Sequence, residues 1–348
     1  MKRLLFLTIV AAGICQLLYS CDSPTVTGKP AAIGAPYELL VLCSGDKWDS
    51  PLGDTVRSVL QCPVEGINGH EPHYNVLRIT PGQFSGMMQR NRNVLNIAVS
   101  PDAKAAALNA RYDTYATPQI IVTLSAPDDS TATAYVSEHA QELVAIFEIA
   151  ERNRDLEANR KFGDNKLTEQ IKETFGFEMP LSKGYKIRNT IPDKHFMWLS
   201  YEYPTASQGI LIYSYPYSGL DDFSQGMLLA RRNEFTALVP GENPGSYMTT
   251  ADVYLPELTP MRINGRAWAE LRGFWDVKGD FMGGPFVSYS TLDGERQRVV
   301  TVDFYLYSPN KDKRNFLRSL EHVIFGVDFG DAERPDGNEK DNTEVTDN

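Results

Sequence analysis

The chain has 348 residues, of which 42% are hydrophobic and 11% aromatic, enough apolar side chains for a packed core. Its formal charge of −11 argues against nucleic-acid binding through a basic surface and against electrostatic binding to anionic lipids. Length and composition together predict a folded, acidic protein of two domains or one large one, with no nucleic-acid partner.

The N-terminus has the layout of a bacterial secretory signal. Two basic residues precede an apolar run from Leu4 to Leu18, which is too short to span a bilayer, and Ser20 then leads into Cys21. This pattern predicts a lipoprotein signal peptide at residues 1–20, whose loss takes the charge from −11 to −13. We expect lipid attachment at Cys21 and a position in the cell envelope, at the outer membrane, with the periplasmic or surface face left open.

Residues 21–35 are rich in Pro, Gly and Thr and predict a tether. Residues 36–162 then alternate between strand and helix patterns, which is typical of an α/β domain. The expected strands are Tyr37–Cys43, Tyr74–Ile79, Val94–Val99 and Gln119–Leu124, and the expected helices are Ser50–Gln61, Gln83–Gln89, Pro101–Ala110 and Thr131–Phe162.

The second half, residues 163–329, begins with a helix closed by Gly176 and continues mainly as strands, with Asp293-Gly294 as a hairpin turn. We expect an α+β domain with a mainly antiparallel sheet, followed by an acidic, disordered tail at residues 330–348. The expected strands are 197–203, 209–215, 247–255, 261–263, 267–277, 286–292 and 299–307, and the expected helices are 220–235 and 313–324.

Two cysteines remain after the signal and the lipid site. Cys43 ends a predicted strand and Cys62 ends the helix that runs back from it, so the two are about a helix length apart, roughly 13 Å for nine residues. A disulfide needs Cα atoms within about 7 Å. We therefore expect two free thiols.

Metal and catalytic motifs are weak. His70-Glu-Pro-His73 lacks helical spacing and a third ligand, so we expect a solvated loop, no metal and no cofactor. His139, His195 and His322 are isolated and indicate ordinary surface or core histidines. No nucleophile, phosphate-loop or dinucleotide motif occurs. The acids of a hydrolase would have to come from Asp46, Asp49 or Asp54, which solvated loop positions explain equally well.

Two Arg/Asn clusters and two rigid loops are the candidate binding elements. Arg90 and Arg92 fit either a helix C-terminus or an anion-binding site. The same two interpretations apply to Arg231-Arg232-Asn233. The loops are residues 240–250 and 282–286. Their aromatic and Arg side chains suit ligand or partner binding, although sheet corners also require Gly and Pro. The candidate contacts are Tyr247, Trp268, Arg272 and Trp275, with Arg90 and Arg92.

Several of these segments resemble one known family. They are Pro36-Tyr-Glu-Leu-Leu-Val-Leu, Gly53-Asp54, Arg92-Asn93-Val-Leu, Gly245-Ser-Tyr-Met-Thr-Thr250, Arg272-Gly-Phe-Trp and Met282-Gly-Gly-Pro-Phe-Val. Over residues 34–328 the chain is similar to the uncharacterised Bacteroidales lipoprotein family called domain of unknown function 4837. The resemblance implies an exported lipoprotein of Gram-negative gut-type bacteria and supplies no activity or ligand. The strand order of residues 181–326 is also similar to that of PsbP-like proteins, which implies a fold and no function.

These observations favour a non-enzymatic envelope lipoprotein that binds a partner or serves as a scaffold. Its expected partners are the membrane, through the lipid anchor, and an envelope protein or glycan. The alternatives are a hydrolase of a cell-envelope polymer and a glycan-binding lipoprotein. A hydrolase would require a deep cleft holding two carboxylates, or a histidine beside a carboxylate.

Overall fold

The computed structural model describes residues 28–330. The first domain is built on a five-stranded sheet with the order β2-β1-β3-β5-β4, parallel except for the antiparallel edge strand β4. The strands are β1 Glu38–Leu42, β2 Asn75–Ile79, β3 Asn93–Val99, β4 Ala107–Tyr112 and β5 Ile120–Ala126. The predicted helix at Pro101–Ala110 is wrong, because this segment turns and then pairs along β5 as β4.

Helices cover one face of this sheet. They are α1 Gly45–Trp48, α2 Pro51–Leu60, α3 Asp129–Glu138 and α4 Ala140–Phe162. The Ser50 hydroxyl caps α2, whose Val56 and Leu60 are buried against β1 and β3. The predicted long helix is two helices, because the chain breaks at His139, which ends α3 and precedes α4.

The second domain contains an eight-stranded antiparallel sheet with the order β10-β11-β12-β13-β8-β7-β6, and β9 also pairs with β11. Its polar edge strand β6 was not predicted from the sequence. The strands are β6 Lys186–Ile191, β7 Phe196–Glu202, β8 Ser207–Pro216, β9 Tyr247–Thr250, β10 Glu257–Ile263, β11 Arg266–Lys278, β12 Gly283–Asp293 and β13 Arg298–Tyr307. The predicted α+β class, with an α/β part followed by a mainly antiparallel part, is confirmed.

Helices pack on both faces of the second sheet. On one face lie α5 Asn165–Phe175 and α7 Arg314–Ile324, whose apolar side chains share a core with β8, β12 and β13. On the other face lies α6 Gln225–Thr236, which buries Leu228 and Phe235 against a second core. Alternating side chains of the central strands therefore point into two separate cores.

A fully buried ion pair crosses the α6 face. Arg232 Nε donates to Asp303 Oδ2 at 2.7 Å, and both side chains are 0% exposed. The guanidinium also donates to Thr250 Oγ1 at 2.8 Å and lies 3.4 Å from the centre of the Phe286 ring. The Arg231-Arg232-Asn233 cluster thus holds the sheet to its helix, since Asn233 Oδ1 accepts from the Thr250 backbone as well.

The two domains are joined by the final helix. Helix α7 packs against α4 of the first domain. The Glu71 carboxylate accepts hydrogen bonds from the backbone N–H groups of Lys313, at 2.7 Å, and Arg314, at 2.9 Å. Lys313 makes no side-chain cap at this helix end, so a first-domain loop supplies the cap of a second-domain helix.

The chain before β1 is hydrogen-bonded to the first domain. Ala32 N donates to Thr117 O at 3.0 Å, and Ile33 N donates to Arg90 O at 2.9 Å. The last residues of the predicted tether are therefore held against the folded domain. Several predicted segments lie outside the described residues. They are the predicted signal peptide, Cys21, the first part of the predicted tether and the predicted tail from residue 331.

Candidate functional site

The loop before β9 lies beside the turn of the β11–β12 hairpin and is hydrogen-bonded to it. The second predicted loop, 282–286, is wrong, because residues 283–286 begin β12 and pair with β11. The Asp280 carboxylate accepts from the Glu242 backbone N–H at 3.0 Å and from the Phe281 N–H at 2.7 Å. Asn243 Nδ2 donates to Gly279 O at 3.1 Å. The β11–β12 hairpin and the loop before β9 therefore form one cross-linked edge of the domain.

A cleft of about 900 Å³ opens beside this edge, between the hairpin, the turn after β9 and a loop of the first domain. Phe274 and Asp276 of β11 line it, and Tyr254 packs on Phe274 with ring centres 5.2 Å apart. The full lining is Gly66, Ile67, Asn68, Ala251, Val253, Tyr254, Phe274, Trp275, Asp276, Asp280, Phe281, Met282, Gly283 and Gly284. Two carboxylates and no basic side chain line the cleft. This pair does not meet the expectation for a hydrolase, because both oxygens of Asp280 accept backbone N–H groups of the loops.

Large apolar side chains stand exposed around the cleft. Phe281 at the hairpin tip is 101% exposed, Val253 and Leu255 are each 80% exposed, and Tyr254 is 59% exposed. Exposed side chains of this size close together in space are typical of an interaction surface. We call these four residues the apolar rim.

The four second-domain candidates from the sequence lie mostly behind this surface. Trp275 is buried and its Nε1–H donates to Leu306 O at 3.2 Å. Trp268 is buried in the core shared with α7. Arg272 pairs with Glu270 at 3.1 Å and with Glu321 of α7. Tyr247 is half-buried on β9.

Arg272 therefore belongs to a polar layer beneath the cleft. Burial would lower its pKa, but the Glu321 and Glu270 carboxylates outweigh burial and raise it. Glu321 lies on α7 and also pairs with Arg318 of the same helix, at 2.8 Å. Its pair with Arg272 of β11 is the contact that links the sheet to α7.

Arg90 and Arg92 lie in the first domain and the structure does not bring them to the cleft. Arg90 donates to Ala31 O from Nε at 3.2 Å and from Nη2 at 2.8 Å. Arg92 pairs with the buried Glu151 at 2.9 Å, and Arg154 approaches the same carboxylate at 3.1 Å. Both candidates thus have partners within the fold.

A buried cluster of titratable side chains joins the domains. It was not predicted from the sequence. His322 of α7 lies between Asp155, at 2.7 Å from Nδ1, and Glu148, at 3.2 Å from Nε2, and the Tyr37 hydroxyl donates to Glu148 at 2.9 Å. Burial would lower the pKa of His322, but the hydrogen bonds to Asp155 and Glu148 outweigh it and raise the pKa to about 9.

The pKa of Glu148, one of the two carboxylates in this cluster, shifts in the opposite direction to that of His322. Burial would raise the pKa of Glu148, but hydrogen bonding to His322 and the charge of Arg318 outweigh it and lower the pKa to about 2. His322 is only 2% exposed, so the charged pair holds two helices together and presents no open reaction site. The only sequence signal was a seven-residue spacing of the two acids, Glu148 and Asp155, along α4.

The other titratable candidates also have local partners. His73 contacts Cys62 Sγ at 3.6 Å through Nδ1 and Arg318 at 3.3 Å through Nε2, and burial lowers its pKa. Cys43 and Cys62 are both free thiols. Among residues 28–330, no group of three or more His, Cys, Asp or Glu side chains could hold a metal ion.

The three acids proposed for a hydrolase are spread over two short helices. Asp46 lies in the first turn of α1, and Asp49 ends that helix. Asp54 lies in the first turn of α2 and pairs with Arg57 one turn later. None of the three lines the cleft described above.

Each half of the chain matches a family model whose function is unknown. Residues 164–326 match the model described as domain of unknown function 4837, and residues 32–160 match domain of unknown function 8532. The expected resemblance to the first family is confirmed for the second half, whereas the first half matches a separate model. No curated protein matches the chain.

Several solved chains match part of this chain. One of them is LpqN of Mycobacterium tuberculosis, described as involved in cell envelope biogenesis, with 8% identity and a TM-score of 0.27. The similarity covers 44% of this chain and 82% of LpqN. In the part of the chain that the structure describes, no helix has the length and apolarity needed to cross a membrane.

Proposed function

We propose that this protein is an envelope lipoprotein, anchored through Cys21, that binds a polypeptide partner at the cleft and its apolar rim without catalysing a reaction. The N-terminal sequence pattern and the resemblance to a Bacteroidales lipoprotein family support export and acylation. A lipid anchor at an outer membrane would leave the cleft free for a partner in the same compartment.

The apolar rim is the observation that carries the binding proposal. Phe281, Val253 and Leu255 expose most of their surface in water, where they contribute nothing to the core. Burying such side chains against a partner contributes about 1.5–3 kcal/mol each. The hydrogen bonds of Asp280 hold the hairpin in place beforehand, so binding would cost less ordering entropy.

The chemistry of the rim favours a polypeptide over a glycan. Val253 and Leu255 are aliphatic and offer no hydrogen bond to a sugar hydroxyl. Both tryptophans of β11, Trp268 and Trp275, are buried and present no open ring face to a sugar. A polypeptide can instead place apolar side chains on the rim and donate hydrogen bonds to the exposed Asp276.

The proposal is tested by site-specific photo-crosslinking in cells that make the protein naturally. A photoreactive phenylalanine analogue at Phe281 should yield one discrete crosslinked polypeptide. The matched control is Tyr112, an aromatic residue of the first domain that is 66% exposed and lies on β4, outside the cleft. It should yield none.

The crosslinked polypeptide is then purified and its affinity measured directly. Phe281→Ser and Tyr254→Ser should each weaken binding at least tenfold, while Tyr112→Ser leaves it unchanged. All three variants change exposed side chains, so the melting temperature should stay constant. Equal crosslinking at Phe281 and Tyr112, or unchanged affinity of the two rim variants, would contradict a polypeptide site at the rim.

A further inference from the structure

A second, smaller cavity of about 360 Å³ lies on the α6 side of the second sheet. Four aromatic side chains line it, from β7, β11 and β13: Trp198, Trp275, Tyr305 and Tyr307. The thioethers of Met248 and Met282 complete its apolar wall. Its volume is that of a small-molecule site.

The rings of this cavity are inclined to each other and do not stack. Trp275 and Tyr305 are 5.4 Å apart at 69°, and Trp275 and Tyr307 are 6.2 Å apart at 58°. Trp198 Nε1 donates to the Tyr305 hydroxyl at 2.8 Å, which satisfies the polar edge of the indole. Trp275 and Tyr305 are 2% and 5% exposed and form the packed back of the cavity, so the half-buried rings of Trp198 and Tyr307 are the aromatic surfaces left for a ligand.

The charged groups of the cavity are all negative. Glu202 and the exposed Glu242 line it, and no Lys, Arg or His does. Glu202 forms an ion pair with Arg188 at 3.1 Å, so Glu242 is the carboxylate that remains to attract a cationic ligand. Aromatic rings attract cations through the negative charge of their faces, and aromatic cages are a recurring way of binding quaternary ammonium groups.

We propose that this cavity binds a small organic ammonium ion, with the alkylammonium group against the rings and Glu242 nearby as counter-charge. The cavity shares Trp275 and Met282 with the larger cleft, whereas Glu242, Trp198 and Tyr307 line only the smaller cavity and can be tested separately. A purely apolar ligand would fill the same space, so the test must separate charge from shape.

Two probes of equal shape make that separation. Choline carries a quaternary nitrogen, and 3,3-dimethylbutan-1-ol has carbon in its place. Calorimetric titration of the full-length protein in detergent should show saturable choline binding, with the neutral isostere at least about tenfold weaker. Equal affinity for the two, or no saturable choline binding at millimolar concentration, would overturn the proposal.

Variants then locate the site. Tyr307→Leu and Glu242→Gln should each weaken choline binding at least fivefold, whereas Tyr307→Phe keeps the ring and should retain it. The control is Glu295→Gln, in the turn after β12 and so at the opposite end of that strand from the β11–β12 hairpin. Unchanged choline affinity in both Tyr307→Leu and Glu242→Gln would place the ligand elsewhere and overturn the assignment.

A third probe distinguishes a free ammonium ion from a lipid headgroup. Glycerophosphocholine carries the same ammonium group next to a phosphodiester, which the Glu242 carboxylate would repel. We expect it to bind more weakly than choline. Tighter binding would overturn the assignment to a free ion in favour of a headgroup.

Discussion

Replacement of Asp303 by Asn should be among the most destabilising single changes in the second domain. Asp303 is fully buried and is the ion-pair partner of Arg232, which lies on the buried face of α6. Asn has almost the same shape, so the core stays filled. The change removes the negative charge and leaves the Arg232 guanidinium buried with neutral partners alone, namely the new amide oxygen, the Thr250 hydroxyl and the Phe286 ring.

The size of the effect follows from the cost of an uncompensated buried charge. Removing one partner of a buried pair typically costs about 3–5 kcal/mol. With a urea m-value of about 2 kcal/mol/M, this lowers the midpoint of unfolding by about 2 M. The neighbouring pair Arg231–Glu234 has side chains 37% and 61% exposed, and breaking it should cost under about 1 kcal/mol.

Urea unfolding followed by tryptophan fluorescence is the assay, with Glu234→Gln as the matched control. The double variant Arg232→Met with Asp303→Leu should recover most of the lost stability, because it removes both charges and keeps the volume filled. If Asp303→Asn costs no more than Glu234→Gln, the argument from buried charge is wrong for this site.

Three further predictions concern the anchor, the domain junction and the buried tryptophan. Cys21→Ser should release the protein from the membrane fraction, and a variant that still sediments with lipid attached would contradict lipidation there. The folded pKa of His322, about 9, exceeds its unfolded value of about 6.5, so its contribution to stability is full below pH 6.5 and is lost as pH rises through 9. Unfolding at pH 7 and pH 10 should show this loss in the wild type and a smaller one in His322→Gln. Trp275→Ala should cost about 3–5 kcal/mol, since the ring is buried, whereas Tyr247→Ala should cost less, and equal melting temperatures would contradict this.

Much of the fold was predictable because it rests on local signals. The Ser50-Pro51 start of α2 and the left-handed Gly176 after α5 each specify their own backbone. The hairpin predicted at Asp293-Gly294 also forms, but its turn is the four residues 294–297 and Gln297 is the residue with positive φ. The failures were segments whose structure depends on distant partners. The helix propensity of the Ala-rich stretch at 101–110 predicts a helix. Its second half instead forms a strand, because it pairs with the free edge of β5.

The cleft was only half predictable. The Gly/Pro spacing identified the loop before β9, and residue type then selected Trp275 and Arg272 as contacts. The structure reverses this choice of contacts. The alternation of β11 turns Trp275 into the core, whereas Phe281 lies beyond the strand, at the hairpin tip, and is exposed to solvent. Which side chains of a loop stay exposed depends on how the flanking strands are packed, and no local pattern carries that information.

The cap that Glu71 places on α7 has a consequence for the order of folding. Helix α7, the last helix of the described residues, begins with two backbone N–H groups that bind a carboxylate synthesised more than 240 residues earlier. Because domains generally fold as units, N-terminal first during synthesis, the first domain would already be folded when this helix emerges. The early domain would thus act as a template for the final element. A fragment holding only the second domain would have to form α7 with its first turn unpaired.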